Sequence, residues 1–153
     1  MQWYIVPAVL LLVTSGVMAG GLVMVALGIA PTFVHLAPPM YVTTHQTMDA
    51  YIERYMPRNT QLTLLLAVIT AILRGRLLAR VLLVIGIVLT GAVALISETR
   101  NVPINKQVLT WNPDTPPGDM NAIFARWIRF NWLRTAAGVL ALAVFAAAAI
   151  LPA

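Results

Sequence analysis

The sequence predicts an all-α integral membrane protein: one domain, 1–153, built as a four-transmembrane-helix bundle with a long, partly protruding C-terminal helix. Three observations carry that expectation. Only 10% of the 153 residues are charged and 60% are hydrophobic, whereas a soluble domain carries about 25% charged residues. Lipid must therefore cover most of the surface. Four stretches are long and apolar enough for a hydrocarbon core that takes about 20 helical residues to cross. From Pro117 to Leu151, a single helix would run about 50 Å, beyond the thickness of that core.

The first span is 3–30. No Asp, Glu, Lys or Arg precedes Asp49. A secretory signal has a basic start and a short apolar core, so this stretch reads as a retained anchor. Gly16 and Gly20, with Gly21 and Gly28, form a small-residue face of the kind that lets helices approach closely. Trp3 and Tyr4 suit the lipid–water interface.

The first long connection, 31–58, contains His35, His45, Asp49 and Glu53. The last three are spaced i, i+4, i+8 and share one face of a helix leading into the second span. That span is 56–73. Residues 62–73 are too few alone, so the span reaches back to Met56, with Arg58 extended toward headgroups and Pro57 in the first turn or at a kink. The turn 74–80 follows, with Arg74, Arg76 and Arg80 and no acid. The third span, 77–97, holds Arg80 near enough to its end to snorkel.

The second long connection, 98–130, begins with Glu98 and the segment Asn101-Val-Pro103-Ile-Asn105. Pro103 biases Val102 toward extended backbone, leaving Asn101 and Asn105 to cap turns or meet a ligand. Residues 111–119 read WNPDTPPGD, a turn-rich stretch. It places a helix start near Pro116, with Thr115 as N-cap and Asp119 in the first turn. The fourth span, 132–152, is rich in alanine from Ala136 to Ala149.

Four crossings put both termini on one side. The short arginine-rich turn, by the positive-inside rule, makes that side cytoplasmic. Arg54, Arg58, Arg100, Lys106, Arg126 and Arg129 lie in the opposite connections, so charge density favours this orientation and raw count opposes it. The net charge of +5 is dispersed, which argues against nucleic acid and for anionic lipid as its counterpart. With no cysteine, disulfides and thiolate metal sites are excluded. Two histidines without HxxxH or HExxH spacing give no metal site, and neither lies in a span where haem would sit. A nucleophile triad and a phosphate-binding glycine loop are also absent.

Chemistry is expected where the third and fourth helices meet the outer boundary. Met120, Ile123, Phe124, Trp127 and Ile128 form an apolar stripe that continues into Asn131 and Arg134. An arginine there is costly unless paired, and Glu98 is the expected partner, with Asn131 adding hydrogen bonds. Glu98, Arg134 and Asn131 are the catalytic candidates. Asn101, Asn105, Trp111, Trp127, His35 and His45 are the substrate-binding candidates. The same cluster read architecturally only locks two helices together, which suits a non-catalytic membrane subunit or scaffold of a larger complex.

Asn101-Val-Pro103-Ile-Asn105, Trp111, Pro117, Asp119, Arg126-Trp127, Asn131 and Arg134 together resemble the anthrone oxygenase-like family of small four-span membrane proteins. Pro31 after the glycine-rich span and Met56-Pro57 fit more loosely. The resemblance implies histidine in many relatives at the position where Asn131 stands here, which sets this chain apart from a proton-transfer role at that position. It also implies oxidation of anthrones to anthraquinones by dioxygen with no evident metal or flavin, so no cofactor is expected, and an anthrone, phenol or quinone-like molecule is expected to bind at the outer mouth of the bundle. Glu98 or a histidine would serve as base, Arg134 and the asparagines as anion stabilisers, and Trp127 as a stacking wall. The expected partners are the bilayer and a hydrophobic small molecule, with homo- or hetero-oligomers left open.

Overall fold

The computed structural model describes residues 3–152. It is all-helical among them, with four helices long and apolar enough to cross a membrane: α1 Ile5–His35, α2 Pro38–Leu73, α3 Leu77–Leu109 and α4 Met120–Ile150. They form an up-down bundle in which each helix packs on its sequence neighbour and α4 closes against α1.

The helices run well past the apolar stretches that define them. Only Leu36 and Ala37 separate α1 from α2, so the expected connection 31–58 is almost wholly helical, and Pro57 lies inside α2. Two prolines are absorbed in the same way. Pro31 and Pro103 each follow a five-residue π-helical segment, Val25–Ile29 and Ser97–Asn101. Proline lacks an N–H and its ring crowds the carbonyl four residues back. Those carbonyls belong to Leu27 and Thr99, each inside a π segment, where the wider turn makes room. Val102 is consequently helical, with φ −59° and ψ −43°, and not extended as Pro103 led us to expect. The 111–119 stretch also differs from expectation: Asp119, not Thr115, is the N-cap residue, and α4 starts at Met120. Asn112 shapes the turn by accepting from the Asp114 N–H at 3.0 Å.

Packing divides into layers. Leu11, Leu66, Ala67, Leu83, Ala141, Phe145 and Ala148 form one core, and Met18, Leu22 and Val93 a middle one. At the opposite end an aromatic layer joins Ala30, Phe33, Tyr41, Val42, Phe124 and Trp127. The alanine-rich fourth helix contributes Ala141 and Ala148, as its composition led us to expect. The glycines of the first span behave differently. A Cβ on Gly16, Gly20 or Gly28 would meet nothing within 4 Å, and one on Gly21 only the end of Met56. The buried face of α1 is instead lined by Leu11, Ser15, Met18, Ala19 and Leu22. Close approach is needed elsewhere: a Cβ on Gly86 would lie 2.2 Å from Phe145, and one on Gly138 2.8 Å from Leu22.

The ends of the bundle are chemically distinct. Buried Arg74 donates to the carbonyls of Ala148 at 2.9 Å and Leu151 at 2.6 Å, satisfying acceptors that the end of α4 leaves open. Its guanidinium also sits 4.2 Å from the Tyr4 ring centroid. The α2–α3 turn and both described chain ends therefore share one end of the bundle. The aromatic layer marks the other.

Candidate functional site

At that other end, α2 carries Tyr41, His45 and Asp49 one helical turn apart, all buried. Asn105 of α3 and Trp127 of α4 meet them. Asn105 Nδ2 donates to Asp49 Oδ1 at 2.6 Å, and its Oδ1 accepts from Trp127 Nε1 at 2.8 Å. An indole N–H can only donate and a carboxylate oxygen accepts, so the amide has one sensible orientation. His45 Nε2 lies 3.3 Å from the same Oδ1. That nitrogen must therefore carry the proton. In the neutral imidazole Nδ1 is then an acceptor, and the Tyr41 hydroxyl donates to it at 3.1 Å. The result is an ordered chain: Tyr41 to His45, His45 and Trp127 to Asn105, Asn105 to Asp49.

Aromatic rings enclose this chain. Phe33, Tyr41 and Trp127 centroids stand 5.6, 5.5 and 5.6 Å from the His45 ring, and Phe124 stacks on Trp127 at 5.7 Å. Gln46 fastens the end of α3 to α2 by donating to the Val108 and Trp111 carbonyls, both at 3.0 Å. Beside the rings lies a cavity of about 500 Å³ lined chiefly by Phe33, Leu36, Tyr41, Phe124, Ala125 and Ile128. That size is in the range of small-molecule sites. Tyr41 belongs to both the cavity wall and the buried polar chain.

One turn deeper, α3 and α4 share a second polar centre. Asn101 Nδ2 donates to the Trp127 carbonyl at 3.1 Å. Arg134 donates from Nε and Nη2 to Asn131 Oδ1 at 3.0 and 2.8 Å, and from Nη1 to Ser97 Oγ at 3.2 Å. Asn101 Oδ1 and Asn131 Nδ2 are buried without a partner. Such atoms cost about 1–3 kcal/mol each when dry, so this centre is not a self-satisfied lock.

The expected residues divide accordingly. His45, Asn105 and Trp127 come together, and Asn101, Asn131 and Arg134 assemble beneath them. Trp111 packs at the edge of the aromatic layer. The Glu98–Arg134 ion pair does not form: Glu98 is exposed, and Arg134 turns to Asn131 and Ser97. Successive helical residues differ by about 100°, so only one of the adjacent pair Ser97 and Glu98 meets α4, and it is the serine. His35 is also apart, exposed and bonded to the Pro31 carbonyl at 2.8 Å. Among the described residues no three His, Asp or Glu side chains converge as a metal site. Tyr41, Asp49, Phe33 and Phe124 were not among the expected site residues. Tyr41 had a legible signal, standing one turn before His45 on the His45–Asp49 stripe.

The anthrone oxygenase family model matches residues 45–144, a stretch that includes His45, Asp49, Asn105, Trp127 and Arg134. No curated protein and no solved structure matches the chain.

Proposed function

The chain belongs to the anthrone oxygenase family, and on that premise we propose that its aromatic-walled cavity binds an anthrone or a related electron-rich phenol for oxidation by dioxygen. One observation carries the reading: a cavity of about 500 Å³ in contact with an ordered Tyr41–His45–Asn105–Asp49 chain. A flat polycyclic ligand lies against the wall that Phe33 and Phe124 form together, their ring centroids 6.1 Å apart, its oxygen toward the Tyr41 hydroxyl. Tyr41 takes a proton from the acidified carbon or phenol as it passes its own to His45 Nδ1. The imidazolium that forms is held by the Asn105 amide, with Asp49 behind it supplying negative charge.

The electron-rich anion gives one electron to dioxygen, and the resulting radical and superoxide combine into a carbon–oxygen bond. The peroxide anion recovers the proton held by His45. Loss of the second hydrogen from carbon with hydroxide from the peroxide then yields the carbonyl and water. Substrate CH₂ and O₂ become C=O and H₂O, so atoms and electrons balance.

A scaffold reading expects complete mutual satisfaction of the polar groups and no pocket. The cavity, with Tyr41 in its wall, favours a binding role instead. Anaerobic titration tests it. Anthrone should quench tryptophan emission of the purified protein saturably, and Ala125→Phe, which fills the cavity, should weaken that binding at least tenfold. Unchanged binding by folded Ala125→Phe protein rules the cavity out.

A further inference from the structure

We infer that the cavity end of the bundle faces the cytoplasm, seated by a girdle of arginines in the anionic headgroups of the cytoplasmic leaflet, with both chain termini on the opposite side. This reverses the orientation expected from the arginine-rich turn, and it stands independently of the oxidation reading.

At about 1.5 Å per residue, Arg58, Arg100 and Arg129 lie about 22, 35 and 32 Å along their helices from the end that holds the α2–α3 turn. These bracket the about 30 Å of a hydrocarbon core. Arg54, Lys106 and Arg126 are further along, and all six cations are exposed. They lie on three helices. Arg100 is 5.3 Å from the Phe130 ring centroid. Tyr51, Tyr55 and Trp132, all exposed, occupy neighbouring levels, as an interfacial aromatic belt does. On the same scale His45 and Asn105 sit about 42 Å from the turn end, above the hydrocarbon. The site thus occupies a helical cap in and beyond the headgroups.

The opposite end offers fewer cations than its sequence implies. Of Arg74, Arg76 and Arg80, Arg74 is 2% exposed and is consumed in closing the end of α4. Two exposed arginines remain there against six cations at the cavity end. Lys and Arg close to helix ends set orientation, while Asp and Glu contribute little, so the acids at the cavity end do not offset the count. Anionic lipid of the cytoplasmic leaflet attracts each such cation.

The absence of cysteine makes the test direct. Gly75→Cys places one thiol in the turn, where a Cβ meets nothing within 4 Å. Thr115→Cys places one in the exposed loop between α3 and α4. Intact expressing cells are treated with a membrane-impermeant maleimide. Gly75→Cys should label in intact cells, and Thr115→Cys only after permeabilisation. The reverse pattern, or labelling of both positions in intact cells, overturns the inference. As a test of cause, Arg54, Arg58, Arg126 and Arg129 are changed together to Gln in the Thr115→Cys background. This should raise external labelling of that thiol severalfold, and an unchanged pattern would show that the girdle does not set orientation.

Discussion

Asn105 satisfies three buried neighbours with one amide, so exchanging that amide for a carboxylate is a demanding test of the site. In Asn105→Asp the new oxygen replaces the nitrogen that lies 2.6 Å from Asp49 Oδ1. Two unit charges at that distance repel by about 6 kcal/mol at an effective dielectric constant of about 20. Binding one shared proton avoids this. At pH 7, holding a proton on a carboxyl group of ordinary pKa costs about 4 kcal/mol. The cheaper route wins, so the variant should lose about 4 kcal/mol at pH 7. It should lose only about 1.5 kcal/mol at pH 5, since each pH unit changes the cost by about 1.4 kcal/mol. The sign follows from proton uptake. The folded variant binds more protons than the unfolded chain, so its stability rises as pH falls.

Thermal unfolding in detergent at the two pH values reads this as a deficit of roughly 8–16 °C at pH 7 that mostly disappears at pH 5. The exchanged pair, Asp49→Asn with Asn105→Asp, rebuilds every bond. The carboxylate moved onto α3 would accept from Trp127 and His45, and the amide moved onto α2 would donate to it. That double variant should return to within about 1 kcal/mol of the parent. If it is as unstable as Asn105→Asp alone, or if the single change costs nothing at pH 7, the bonding assigned to Asn105 is wrong.

Other outcomes follow from the same geometry. Gly86→Ala should destabilise by about 1–3 kcal/mol, because its Cβ would lie 2.2 Å from Phe145, and Phe145→Leu in that background should recover part of the loss in a thermal melt. Gly20→Ala, which meets nothing, should shift stability by less than about 0.5 kcal/mol. Tyr41→Phe and His45→Gln should each reduce turnover about 10²–10⁴-fold while anaerobic anthrone binding weakens less than tenfold. Loss of binding and turnover together would assign these residues to packing instead. Arg74→Ala should lower stability by about 2–3 kcal/mol without changing anthrone affinity, since it closes the far end of α4.

The bundle was legible because hydrocarbon imposes a composition, and four apolar stretches announce four helices. Helix lengths were not legible in the same way. Beyond the hydrocarbon the chain turns polar while remaining helical, so Pro38 to Tyr55 reads as a connection although it is half of α2. Pro103 misled for a related reason: a π segment hosts the proline that an α-helix resists, and no composition signal marks that segment beforehand. The buried stripe of α3, Ala79, Leu83, Gly86, Thr90 and Val93, reaches Ser97 at ordinary helical spacing, so Arg134 meets Ser97 where Glu98 was expected. Within one helix the pattern was informative, since His45 and Asp49 do share a buried face. Their convergence with Asn105 and Trp127 depends on how three helices are rotated about their axes, which no single stripe specifies.

Oxygen consumption tests the proposed chemistry most directly. Purified wild-type protein is supplied with anthrones and hydroquinones in air-saturated detergent, with Tyr41→Phe and His45→Gln as controls. One dioxygen should disappear for each anthraquinone formed from an anthrone, at a rate at least a hundredfold above either variant. A folded wild-type protein that consumes no more oxygen than its variants across that panel would contradict the assignment.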